Sequence, residues 1–132
     1  MTSPGISEPL RAFIREHIQS VEQMEVLLLL YTTTPKEWSA VRVARELRID
    51  PMSASRRLAD FAEKGLLSAR AGDEALLYWY EGSSPTNDRA IAELERANRE
   101  RRTTLIGVIF SAPSDDVRAF ADAFRLRRST EK

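Results

Sequence analysis

The octapeptide DPMSASRR, residues 50–57, sets Ser53, Ser55, Arg56 and Arg57 immediately behind the pair Asp50 and Pro51. An arginine guanidinium is a planar fork of donors that meets two acceptors at once. Against the edge of a guanine such a contact discriminates by about 1–3 kcal/mol. Serine hydroxyls and the free amides of a helix N-terminus suit phosphate oxygens, which position a protein without reading sequence. Upstream, Arg42, Arg45 and Arg48 recur every third residue, and Arg70 follows downstream. Each of them that met a phosphate would add about 0.9 to the salt dependence of duplex binding. The expectation is that Arg56 and Arg57 address bases, Ser53 and Ser55 support them, Arg42, Arg45 and Arg48 meet the flanking backbone, and Arg70 is what a following hairpin could add to DNA contact. Against it stands an ordinary surface role, with Arg56 or Arg57 paired to Asp60 or Glu63 on the same helix.

No other constellation competes with this one. His17 is the only histidine and cysteine is absent, so neither a transition-metal site nor a thiolate nucleophile is expected. His17 lies near an apolar stripe and reads as a packing residue with one hydrogen bond. Asp115 and Asp116 follow Ser114 in a first helical turn, where negative charge favours the helix dipole, so capping explains them better than acid-base catalysis. Gly5, Gly65, Gly72, Gly82 and Gly107 make no phosphate loop, and no histidine stands in a triad pattern with a serine. No catalytic residue, metal or cofactor is expected. Trp79, with Tyr78 and Tyr80, is expected in the core, and Trp38 as an anchor for a helix entry.

The 132 residues are 42% apolar and 30% charged, enough for one compact core with an appendage. Net charge is zero, against what a dedicated nucleic-acid binder usually carries. Yet residues 36–70 hold eight basic and five acidic side chains, so the positive surplus falls on the segment with the arginines. No apolar run approaches the ~18 residues of a membrane span. The opening MTSPGISEPL lacks a secretory pattern, and the lack of cysteine agrees with a reducing compartment. A soluble, cytoplasmic protein without membrane insertion is expected.

The elements that must position these residues are marked by caps and periodicity. Ser7 and Pro9 open a helix with Leu10, Phe13, Ile14, His17 and Ile18 on one face. Ser20 and Gln23 form a capping-box pattern ahead of a helix buried on most sides from Met24 to Leu30. TTTPKEW reads as a loop with a short strand, after which Ser39 caps a helix that turns Val43, Ala44 and Leu47 inward. A brief turn at Arg48 and Ile49 leads to Asp50, whose helix turns Ala54, Leu58 and Phe61 inward, keeps Ser53, Ser55, Arg56 and Arg57 mostly outward, and stops at Gly65. LLSAR and ALLYWY, joined by a segment with Gly72 and Asp73, read as a hairpin. After a polar break, one long helix is expected to start near Asn87 or Asp88 and to run through an exposed ERANRERR connector into TTLIGVIF. A last helix is expected from Ser114, with Val117, Phe120, Ala121 and Phe124 on one face.

This order over residues 20–80 resembles the winged helix-turn-helix of bacterial transcriptional regulators, the MarR-like group among them. Ala44 and Leu47, the run Ser53 to Leu58, and then Phe61, Gly65, Leu66 and Leu67 carry the likeness. The fold class so implied is mainly α with a small β-hairpin. The winged helix-turn-helix, with its N-terminal helix, is expected over residues 1–85 and a C-terminal helical extension over 86–132. The resemblance implies a non-enzymatic DNA-binding regulator that places a recognition helix at about residues 50–64 in the major groove of double-stranded DNA. The flanking helices hold more apolar surface than a small winged module covers, so a homodimer through them is expected. The hairpin tip carries Asp73 and Glu74, where a wing entering the minor groove presents arginine or lysine. With the neutral net charge, this keeps open a winged-helix module that binds a protein partner without DNA.

Overall fold

The computed structural model describes residues 5–82 and 84–111. Over these the chain runs α1 (Glu8–His17), α2 (Val21–Thr32), α3 (Ala40–Leu47), α4 (Pro51–Glu63), β1 (Ser68–Ala71), β2 (Leu76–Trp79), α5 (Pro85–Glu100) and α6 (Arg102–Ser111). Ser114, Asp115, Asp116 and the Phe120 stripe lie outside the described residues.

Side-chain caps start five of these helices. Ser7, Ser20, Ser39, Asp50 and Ser84 each sit in extended backbone and accept a hydrogen bond from the amide three residues on. The Ser20 cap is one half of the expected box. Its other half is displaced by a residue, because the Gln23 side chain accepts from the amide of Gln19. At the end of α4 the Leu66 amide reaches Phe61 O and the Gly65 amide reaches Ala62 O, with Gly65 at φ 82°. This paired closure needs the left-handed conformation that glycine adopts without strain.

The core is one cluster drawn from every helix. Leu10 and Ile14 of α1, Met24, Leu27 and Leu30 of α2, Leu58 and Phe61 of α4, Ile91 and Leu94 of α5, and Leu105 and Ile109 of α6 are all fully buried in it. The strands pair antiparallel, with Ser68 opposite Trp79 and Ala71 opposite Leu76. Trp38 extends the hairpin by exchanging both backbone hydrogen bonds with Tyr78, each 2.8 Å long. Its indole is 4% exposed and donates to Thr33 Oγ1, so it anchors the entry to α3 as expected.

Four expectations about the second half change. The fifth helix begins at Pro85 under a Ser84 cap, not near Asn87 or Asp88; Ser84 and Pro85 repeat the cap-and-proline signal of Asp50 and Pro51. What was expected as one long helix is two, because Arg101 leaves helical geometry at φ −141°, ψ 46°. The break sets α6 against α1 and α5, where Leu105, Val108 and Ile109 are buried. The polar ERANRERR stretch is accordingly not a bare connector, since Ala97 within it is buried. On the hairpin, Tyr78 and Tyr80 enter the core while Trp79 does not. Strand alternation turns it to the other face, half-exposed, with its indole N–H donated to Glu81.

Candidate nucleic-acid interface

The geometry around Asp50 is set by a turn without glycine. Arg48 closes α3 in the left-handed region at φ 58°, ψ 49°, and the Ile49 amide bonds back to Ala44 O. One residue later Asp50 accepts from the Ser53 amide and opens α4. Helices α3 and α4 pack closely, with Val43 and Ala44 on one side and Ala54 and Leu58 on the other buried.

The outer face of α4 is not quite the expected one. Met52, Ser55, Arg56 and Ala59 are exposed, whereas Ser53 and Arg57 are half-buried. Both turn toward α2, where Glu22 Oε1 accepts a short hydrogen bond from the Ser53 hydroxyl and one of 3.0 Å from Arg57 Nε. The Ser53 hydroxyl first, and then the Arg57 guanidinium, hold the Glu22 carboxyl below its ordinary value. Neither Arg56 nor Arg57 takes the local partner that an ordinary surface role supplies. Asp60 pairs instead with Lys64 at 3.4 Å.

Arg42 and Arg45 converge with Lys36, Trp38 and Glu46 on a surface cavity of about 130 Å³. Lys36 Nζ lies 4.2 Å above the Trp38 ring centroid and the Arg42 guanidinium carbon 5.9 Å from it. Arg48 is exposed at the turn. Arg70 stands apart on β1, paired to Glu37 at 2.7 Å, and the pairing pushes the carboxyl down and the guanidinium up from their ordinary values. The hairpin tip closes with the Gly72 amide on Ala75 O, leaving Asp73 and Glu74 exposed.

His17 packs against the Phe13 ring at 4.8 Å and is 7% exposed, as its stripe suggests. The single hydrogen bond expected of it is not made. Its Nδ1 has no partner among the described residues, and Nε2 stands 3.7 Å from Glu16. Burial holds the imidazole below its ordinary value, in the neutral form. No group of three potential metal ligands occurs among the described residues, and no described helix is long and apolar enough to cross a membrane.

Three participants were missed from the sequence. Glu22 lies 31 and 35 residues from its partners, a separation that no local pattern reports. Lys36 could have been added to the basic set by its place ahead of Ser39, and Met52 by its place beside Pro51 in the first turn.

A two-helix unit of α3 and α4 joined by a tight turn, followed by a hairpin to which Trp38 adds a bridge, defines a winged helix-turn-helix. Solved structures share this architecture. The S. aureus MepR–DNA complex is 16% identical, covering 84% of this chain and 76% of that one at a TM-score of 0.51. YusO of Bacillus subtilis is 12% identical, covering 95% and 84% at 0.51. A MarR family transcription regulator is 23% identical over 84% of this chain and 69% of that one, at 0.48. No protein-family model and no curated protein matches the chain.

Proposed function

We propose that this protein is a transcriptional regulator that lays α4 in the major groove of double-stranded DNA and holds the flanking backbone with α3. The observation that carries the reading is how the cations are partitioned. Lys36, Arg42, Arg45, Arg48 and Arg56 make no ion pair with a described residue, a state shared by Arg89 and Arg96 on α5, whereas Arg15, Arg57, Lys64, Arg70, Arg99, Arg101 and Arg102 all do. Cations left without carboxylates on one motif of a chain with no net charge are available to an external polyanion. The MepR–DNA complex, whose fold this chain shares, supports DNA as the ligand.

Roles follow from position. Arg56 reads a base from the exposed face of α4, with Ser55 beside it. Lys36, Arg42 and Arg45, three cations against the one carboxylate of Glu46, line a cavity of about 130 Å³ that suits one backbone phosphate, and Arg48 adds a contact at the turn. Ser53 and Arg57 serve by fixing α4 on α2 through Glu22. Arg70 and the acidic tip leave the wing a structural role. The protein acts as a homodimer through the flanking segments, α1 and residues 86–132, in the cytoplasm and without catalysis.

The test is titration against a pool of random-sequence duplexes at several salt concentrations, with sequencing of what is retained. Arg56→Ala is expected to relax preference at one base pair by roughly 10- to 100-fold. Arg45→Ala is expected to weaken all sequences alike and to lower the salt slope by about 0.9. Absence of retention even at low salt would overturn the reading in favour of a protein-binding winged helix.

A further inference from the structure

We infer that Met52 is a specificity residue, whose side chain meets the C5 methyl group of a thymine close to the base addressed by Arg56. The inference rests on the major-groove placement of α4 proposed above and adds the class of base read there.

Met52 is 71% exposed, the most exposed large apolar side chain of the helix-turn-helix. It stands one residue after Pro51, in the turn whose free amides face out of the helix. Three residues on is Ser55, four on is Arg56 and seven on is Ala59, all exposed, so the four share one face. The neighbouring positions are committed elsewhere. Ser53 and Arg57 are held by Glu22, and Ala54 and Leu58 are buried. From Met52 to Ala59 the face that α4 offers outward is thus mixed, one cation and one hydroxyl between two apolar groups, and the exposed Glu63 follows at its C-terminal end.

In the major groove the thymine methyl is the apolar feature of the four base pairs, and it is met by apolar side chains. An unbranched thioether adapts to such a contact without a fixed rotamer. Along the helix axis Met52 and Arg56 are about 6 Å apart. They therefore address base pairs no more than about two steps apart, a thymine near a guanine. Exposed methionine at this point also gains from burial there, whereas a surface with no partner gains nothing from it.

The experiment starts from duplexes selected by the wild-type protein, with each thymine replaced singly by deoxyuridine. This removes one methyl and keeps every hydrogen-bonding group of the pair. At one thymine per half-site the replacement is expected to weaken wild-type binding about fourfold, the effect of one lost methyl burial. Met52→Ala is expected to bind the thymine and deoxyuridine duplexes alike at that position while keeping the guanine preference assigned to Arg56. Wild-type protein indifferent to every replacement would overturn the inference and leave DNA binding standing, as would Met52→Ala with the sensitivity intact. Failure to select any duplex would overturn the DNA reading itself, and this inference with it.

Discussion

Glu22 decides which arginine of the pair is free. Its carboxylate takes both the Ser53 hydroxyl and the Arg57 guanidinium, so the charge of Arg57 is spent within the protein while Arg56 faces outward. A carboxyl held below its ordinary value of 4.5 adds stability at every pH above that value and loses the contribution as pH falls through the lower, folded value. Glu22→Gln should thus lower stability near neutrality by about 0.5–1 kcal/mol, the scale of a partly exposed pair. The deficit should close as the pH falls below 4.5, when wild type loses the same charge; urea unfolding across pH reads both. On DNA the variant should gain salt dependence, its slope steepening by up to about 0.9 as Arg57 becomes available to a phosphate. An unchanged slope would mean that Arg57 already leaves Glu22 when DNA is present. Residue chemistry of this kind is only half legible in a sequence. The types and the helix that carries them can be read, because capping and periodicity are local. Which of two adjacent arginines is paired depends on a carboxylate two helices earlier, and no spacing rule reaches that far.

Local signals account for most of the elements, and their failures have specific causes. Cap and proline pairs opened α1 and α4, and glycine closed α4, because each of these residues answers an orphaned backbone group within three or four positions. Ser84 and Pro85 carried the same signal inside a run read as a polar break. The division at Arg101 carried none, for the residues around it are good helix formers; burial of Leu105 and Ile109 against the core turns the chain there, and tertiary packing overrides propensity. The turn between α3 and α4 makes the complementary case. Arg48 adopts the left-handed conformation that Gly65 adopts at the end of α4, but as a residue with a Cβ it is strained there. The two positions should respond oppositely to exchange. Arg48→Gly should stabilise the fold by about 0.5–1 kcal/mol while weakening DNA binding through one lost cation. Gly65→Ala should destabilise by about 1 kcal/mol without disturbing packing, since a Cβ at Gly65 meets nothing within 4 Å. Denaturant midpoints of the two variants check the pair, and a shift of the same sign in both would contradict this account of the turn.

A single recognition helix reads few base pairs, so the symmetry of the whole molecule decides what length of DNA it specifies. Helix α6 commits Leu105, Val108 and Ile109 to the core but leaves Phe110 74% exposed at its C-terminal end, beyond any need of this chain's own interior among the described residues. An exposed aromatic at the end of the apolar run LIGVIF is the kind of anchor that a self-complementary two-fold contact buries, and the proposed homodimer runs through these flanking segments. Light scattering at micromolar concentrations should then give about twice the monomer mass of 15.0 kDa. Phe110→Asp should shift the distribution toward that monomer mass without loss of helicity, because the side chain is outside the core. The consequence for recognition is stronger than the change in mass. Duplexes selected by the wild-type dimer should be approximate palindromes with half-site centres about 10–10.5 base pairs apart, one turn of the double helix. Those selected by Phe110→Asp should contain one half-site, with the same thymine and guanine preferences but lower affinity, because two linked recognition helices bind as one and a separated pair does not. A wild-type mass near 15 kDa together with single half-sites would remove the dimer and leave the reading by α4 intact. Palindromes selected by a protein that is monomeric when free would instead place assembly on the DNA, with Phe110 still its contact if the Phe110→Asp variant loses them.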